Sequence, residues 1–303
     1  MLKFPLWRPC FLLAFAVFST RGAEAPEPPT REARVVVARN ALATVSFNPN
    51  ASQVEALFSK ALADLTSETN AALAWSALVS TQEIVGIKVL SSPGATSGTR
   101  PTVVDALVQS LLKAGFAGDH ILIWDKKLAD LRRAGFVALA ERRGVRVAGA
   151  EEEGYDESTF YENELLGKLV WGDHEFGKKG EGVGRKSFVS NLVTKKMTRI
   201  INVTPLLNHN LAGVSGNLFG LALSSVDNTL RFELDPPRLA RAIPEIYALP
   251  SVGDRVVLNV VDALICQYLG EERGLLHYST ALNELRLSKD PVALDMLSIQ
   301  ELD

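Results

Sequence analysis

A chain of 303 residues with 47% hydrophobic and 22% charged residues has apolar side chains for one large core or two modest ones, which excludes general disorder. Its formal net charge of −3 argues against a nucleic-acid or anionic-membrane surface. Two cysteines are too few for cysteine-ligated iron–sulfur clusters or cysteine-rich zinc sites, so no iron–sulfur cofactor is expected.

Residues 1–25 have the order of a secretory signal peptide. Lys3 and Arg8 form a basic start, Phe11 to Phe18 is an unbroken apolar run, and Ala23 and Ala25 place small residues at a cleavage point after Ala25. The run is far shorter than the roughly 20 residues that span a bilayer. The expected mature protein is therefore exported, periplasmic or secreted, with no membrane contact once the leader is gone. Loss of Lys3, Arg8, Arg21 and Glu24 takes the basic residues from 32 to 29 and the acidic ones from 35 to 34, a net charge of −5. Cys10 leaves too, so Cys266 has no intramolecular disulfide partner. A Pro-rich linker, residues 26–33, follows.

From residue 34 the pattern alternates. Arg34 to Arg39 reads as a strand. Asn50 or Ser52 caps a helix with Val54, Leu57, Phe58, Ala61, Leu62 and Leu65 at helical spacing. Ala71 to Val79 is a second helix. Ile84 to Val89 is an apolar strand interrupted only by Lys88. Ser91 to Arg100 is a Ser-, Thr- and Gly-rich loop, and Thr99 is the expected cap of a helix that starts at Pro101. His120 to Asp125 is a second apolar strand, followed by a helix over 137–143 and a strand over 145–147. Residues 150–187 break the rhythm with an acidic, then aromatic, then basic and glycine-rich excursion. Arg199 to Val203 resumes the sheet, Asp235 to Ala248 is a helix, Arg255 to Tyr268 holds a strand and Pro291 to Leu302 a final helix. This alternation predicts a single α/β domain over 34–303. Its sheet is mostly parallel and doubly wound, with helices on both faces and the excursion inserted.

Open α/β sheets bind ligands beyond the carboxyl ends of their strands. Lys88 ends one predicted strand, Asp125 ends another, and His209 lies in an amide-rich loop after a third, so these three are the candidate catalytic residues. His209 is the acid/base or metal ligand, Lys88 the anion partner and Asp125 a carboxylate. Asn208 and Asn217 are candidate hydrogen-bonding groups. Thr96, Ser97 and Thr99 precede a helix start, where amides and the helix dipole favour an anion, and complete the ligand-binding set. Gly177 to Lys186 lacks the spacing of a phosphate or dinucleotide loop and reads as a solvated turn. Gly213-Val-Ser-Gly216 is one residue short of a nucleophile elbow. His120, His174, His209 and His277 carry no His-x-x-x-His motif, so a divalent metal would need them to converge with carboxylates in the fold.

Several short motifs resemble one family across most of this region. They are Val85-Gly-Ile-Lys-Val89, the Thr-Arg-Pro-Thr-Val-Val-Asp-Ala-Leu-Val helix start from Thr99, and the strand that ends at Asp125. Ile200-Ile-Asn-Val203, Asn208-His-Asn-Leu-Ala-Gly-Val-Ser215, Asn217-Leu-Phe-Gly220 and Ser288-Lys-Asp-Pro-Val-Ala-Leu-Asp295 continue the series. In order and spacing they are similar to the proteins that carry the domain of unknown function number 362. The resemblance implies no settled reaction. Many such proteins are fused to ferredoxin-like modules, for which this chain lacks the cysteines. Leu207 and Gly216 stand where the family often has lysine. The expected function is an enzyme acting on a small polar or anionic ligand, with or without a metal, in a cleft at the carboxyl edge. The alternative is a non-catalytic periplasmic ligand-binding or scaffold protein that uses the same cleft. Composition and motifs leave the substrate, the metal and the oligomeric state open.

Overall fold

Hydrophobic cores on both faces of a single large sheet follow from the alternation of apolar strands with amphipathic helices. The computed structural model describes residues 32–178 and 182–303. The leader segment 1–25 and the linker up to Arg31 lie outside the described residues.

Strand β1 (Val35–Arg39) is followed by a small hairpin of β2 (Thr44–Val45) and β3 (Asn48–Pro49). Helix α1 (Ala51–Thr66) buries the stripe from Val54 to Leu65, and the Asn50 side chain caps it by accepting from the Gln53 N–H. Helix α2 (Ala71–Ser76) is capped the same way by Asn70 and stops short of the expected Val79. Strand β4 (Val85–Val89) leads through α3 (Gly94–Ser97) to α4 (Pro101–Lys113). Then come β5 (Ile121–Asp125), α5 (Leu128–Arg133), α6 (Phe136–Arg143) and β6 (Arg146–Gly149). The excursion is a short helix, α7 (Ala150–Glu153), and a long antiparallel ribbon of β7 (Tyr155–Lys168) and β8 (Val183–Ser190). Strand β9 (Arg199–His209) returns to the sheet and turns into β10 (Gly213–Val214). Helices α8 (Asn217–Ser225), α9 (Leu230–Glu233) and α10 (Pro236–Tyr247) follow. Strands β11 (Val256–Gln267) and β12 (Ser279–Ser288) and helix α11 (Pro291–Leu302) close the fold.

The sheet runs in the order β1, β12, β11, β9, β4, β5, β6. The five strands from β11 to β6 are mutually parallel, and β12 is antiparallel to both its neighbours. The chain builds outward from β4 to β5 and β6 on one side, then crosses to β9 and β11 on the other. The reversal between β4 and β9 is a topological switch point, where the connections diverge and leave a crevice. Along β4 the pleat sends Val85, Ile87 and Val89 into the first core, beside α1 and α4. Gly86 faces the other side, where an added Cβ would press on the end of the Met197 side chain and force it to shift. This second face is covered by α8, α10 and the excursion ribbon.

Three local expectations are corrected. The Asn208–His209 stretch is not a loop. Strand β9 continues past its last pairing with β4, at Val203, and pairs with β10 through Asn208 and His209. Thr99 is not the cap of α4, because Arg100 holds that position without a side-chain bond. Its hydroxyl instead accepts from Leu90 N–H and donates to the Val203 carbonyl, which staples β4 to β9. Strand β12 was not expected at all. Asn283 adopts a left-handed φ of 58° and the pairing with β11 slips beside it, so the alternation that marks a strand is broken.

Candidate functional site

The switch point opens into a cavity of about 650 Å³. Its floor and walls come from chain segments just past the carboxyl ends of the parallel strands. Leu90 and Ser92 follow β4, Asp125 to Lys127 end and follow β5, Glu151 follows β6, His209 ends β9, and Glu271 and Glu272 follow β11. The excursion contributes Tyr155 and residues 170–173, and the segment from α8 to α9 contributes Phe219, Gly220 and residues 227–230.

Lys88 and Asp125 meet beneath this cavity. Their register places Lys88 opposite Trp124, one residue before Asp125, and Nζ lies 3.3 Å from Asp125 Oδ1. Both side chains are buried, and Lys88 also donates to the Val89 carbonyl at 2.7 Å. Asp125 Oδ2 accepts from the Ser91 N–H and hydroxyl at 2.7 and 2.6 Å, and Oδ1 from Ser224 at 2.8 Å. Burial pulls the Lys88 ammonium below the usual lysine range, against the opposing pull of Asp125. For Asp125 burial works upward, but Lys88 and the Ser91 and Ser224 bonds outweigh it and hold the carboxyl below its ordinary value. The pair is an enclosed ion pair. Gly220 of α8 roofs it, and an added Cβ there would lie 3.7 Å from Lys88 Nζ.

Above it, carboxylates dominate the lining. Asp125, Asp130, Glu151, Asp173, Asp227, Glu233, Glu271 and Glu272 face Lys126 and Lys127. Lys126 is half-buried, and its Nζ donates to Thr229 Oγ1 at 3.1 Å. Burial lowers its pKa, opposed by Glu233 and Glu151. Burial raises Glu151 and Glu272, against the nearby lysines for the first and the Ser92 hydroxyl bond for the second. Asp227 is pushed up to about 7 by burial and the nearby Asp173 charge, although its oxygens accept the His174 and Phe188 N–H groups. Asp173 in turn accepts from the Val170 and Asn228 N–H groups, both at 2.8 Å. These two aspartates lock the excursion to the α8–α9 segment. Among the described residues, no three of His, Cys, Asp and Glu are arranged to hold a metal ion.

His209 lines the same cavity as Asp125. Its Nδ1 accepts from the Ala212 and Leu211 N–H groups at 3.1 and 3.3 Å, and its ring tilts against Phe219 with centroids 4.4 Å apart. Burial lowers its pKa, opposed by Glu271 and Glu233. The two backbone donors hold the neutral imidazole with its proton on Nε2.

The five expected ligand-binding residues do not line this cavity. Asn217 is buried at the start of α8, where its N–H and amide donate to Asp295 at 2.6 and 3.0 Å. Asn208 accepts from the Glu271 N–H at 3.0 Å and ties β9 to the segment after β11. Ser97 donates to Gln267, and Thr99 is the staple described above. Thr96 lines a smaller hollow with Phe47 and Arg100. Burial gives four of these polar groups protein partners instead of open space. Lys126, Glu151 and Asp227 were missed. A signal existed for Lys126, since it directly follows a strand-ending aspartate.

The family model described as "Domain of unknown function (DUF362)" matches residues 85–300. None of the curated proteins matches the chain. A crystal structure of a protein from Thermotoga maritima is similar at 14% identity with a TM-score of 0.34, over 70% of this chain and 50% of that one. The chain thus spans about half the length of that protein.

Proposed function

This chain belongs to the DUF362 family, and we propose that it is an enzyme acting on a small polar ligand in the carboxyl-edge cleft, with Lys126 exchanging the proton. One observation carries this reading. A half-buried lysine held below its ordinary range shares one cavity with carboxyls pushed upward, Glu151 and Asp227 among them. Groups displaced toward neutrality from both sides are suited to acid–base work, and such displacements cluster at active sites. The excess of carboxylates over lysines turns the expected ligand away from a free anion. His209, fixed through Nδ1, presents Nε2 as a donor that orients the ligand.

The test is a proton titration of the lysines by reductive ¹³C-methylation and NMR, with Lys126→Arg to assign the signal. The reading expects Lys126 to titrate below the exposed lysines. A Lys126 signal that titrates with the exposed lysines sinks it.

The non-catalytic alternative draws on a separate observation: Lys88 and Asp125 close on each other, and His209 Nδ1 is held by backbone. Two of the three residues first taken as catalytic are thereby occupied. A cleft that binds a ligand without turnover fits that arrangement, and stoichiometric binding with no chemical change in the ligand distinguishes it. The order of residues 1–25 supports export, and N-terminal sequencing of secreted material that begins at Met1 would refute it.

A further inference from the structure

We infer that Glu271 is the positioning residue of His209, holding the imidazole at the cavity wall through the two residues that flank it in the chain. This rests on the reading of His209 as the group that orients the ligand, and adds what sets its position.

Glu271 lies in the turn after β11, between Gly270 and Gly274. Its own φ is 52°, in the left-handed region that glycine enters freely and a side chain resists. Three bonds hold it there. Its N–H donates to Asn208 Oδ1 at 3.0 Å, its carboxylate accepts from the Asn210 N–H at 2.8 Å, and its carbonyl accepts from Gln267 Nε2 at 2.7 Å. Gln267 is buried, and its Oε1 accepts from the Leu275 N–H at 3.2 Å, which fixes the orientation of that amide. Strained backbone persists where its surroundings over-determine it, and such residues gather at ligand sites. A glycine would keep both backbone bonds without the strain. What the glutamate adds is its carboxylate, and that carboxylate grips Asn210. The tie between β9 and the turn after β11 is already made by the Glu271 N–H, so the side chain is not needed for it. Asn208 and Asn210 stand on either side of His209, and Asn208 Nδ2 also reaches Asn210 Oδ1 at 3.4 Å. Between them the ring is fixed on two further sides, by the Leu211 and Ala212 N–H groups at Nδ1 and by Phe219. Glu271 and His209 line the same cavity. Burial disfavours the imidazolium of His209, and the carboxylates of Glu271 and, on α9, Glu233 oppose it.

The experiment is long-range ¹H–¹⁵N NMR of the histidine-labelled full chain across pH, with His209→Gln to assign the signal and thermal unfolding in parallel. Wild type should show the well-separated ring-nitrogen shifts of a single Nε2–H tautomer. Glu271→Gly relieves the backbone and deletes the carboxylate. It should keep its melting temperature while the two His209 shifts move toward each other and the titration moves to lower pH. Glu271→Gln keeps an oxygen for the Asn210 N–H and loses the charge. It should restore the single tautomer and leave the titration low. An unchanged His209 signal in Glu271→Gly would overturn the inference, and with a lowered melting temperature it would reduce Glu271 to a tie between two loops. A Glu271→Gln signal as mixed as that of Glu271→Gly would also overturn it, because the bond to Asn210 would then not be what places the ring. Neither readout needs a ligand. A His209 signal that follows Glu271, beside a Lys126 that titrates with the exposed lysines, would uphold the positioning role and sink the acid–base reading of the cleft.

Discussion

Two lysines at neighbouring strand ends meet opposite fates. Lys88, in β4, is wholly buried and faces Asp125 at 3.3 Å across the sheet. Lys126, one residue past β5, is half-buried in the open cleft and bonded to Thr229. Burial lowers both, but the consequences differ. The first is enclosed with an ionised partner whose oxygens are otherwise satisfied by Ser91 and Ser224, so it holds the strand ends in place. The second has carboxylates around it and lines the open cavity, the setting that the proposed proton exchange with a ligand needs. Burial lowers both lysines, so what separates them is their neighbours and their access to the cavity.

Breaking the enclosed pair gives the largest effect. Lys88→Met leaves the Asp125 carboxylate buried without its counter-charge, and should cost about 3–5 kcal/mol in urea unfolding. Adding Asp125→Asn should recover part of that loss, because the amide needs no counter-charge. Equal destabilisation of both variants would mean that the ion pair is not what holds the site.

Asp227 sharpens the contrast through pH. Its folded value of about 7 is above the ordinary carboxylate range, so the folded chain holds a proton that the unfolded chain releases. The stability it contributes is fully present below about pH 4 and is lost as pH rises through about 7. Between pH 5 and 8 wild type should therefore lose about 2–3 kcal/mol relative to Asp227→Asn. Parallel stability curves for the two proteins would rule this out.

Lys126→Met is the counterpart of Lys88→Met. Part of the Lys126 side chain reaches solvent, so its removal should change stability by no more than about 1 kcal/mol while turnover is lost. A variant that unfolds like Lys88→Met would make the two lysines structurally equivalent. The smallest effect belongs to Trp171→Ala, within about 0.5 kcal/mol of wild type by thermal unfolding, since the ring is mostly in solvent.

Much of the fold was legible locally. The stripe of α1, its cap at Asn50, and the apolar runs of β4, β5 and β11 announce themselves through spacing, because helix and strand periods are properties of neighbouring residues. The same logic put Lys88, Asp125 and His209 at one edge of the sheet, since parallel strands present their ends together. The tertiary structure decided what those ends do. Asn217 looked like a ligand group until α11 brought in Asp295, 78 residues away in sequence, to take its donors. Lys126, Glu151 and Asp227 come from three separate segments; Lys126 carries a local signal beside a strand-ending aspartate, but that all three share a cavity is set by the fold. Which polar groups are enclosed and which stay open depends on the chains that pack over them. Burial and hydrogen-bond satisfaction are set by the whole fold, whereas strand and helix periods are set within a few residues.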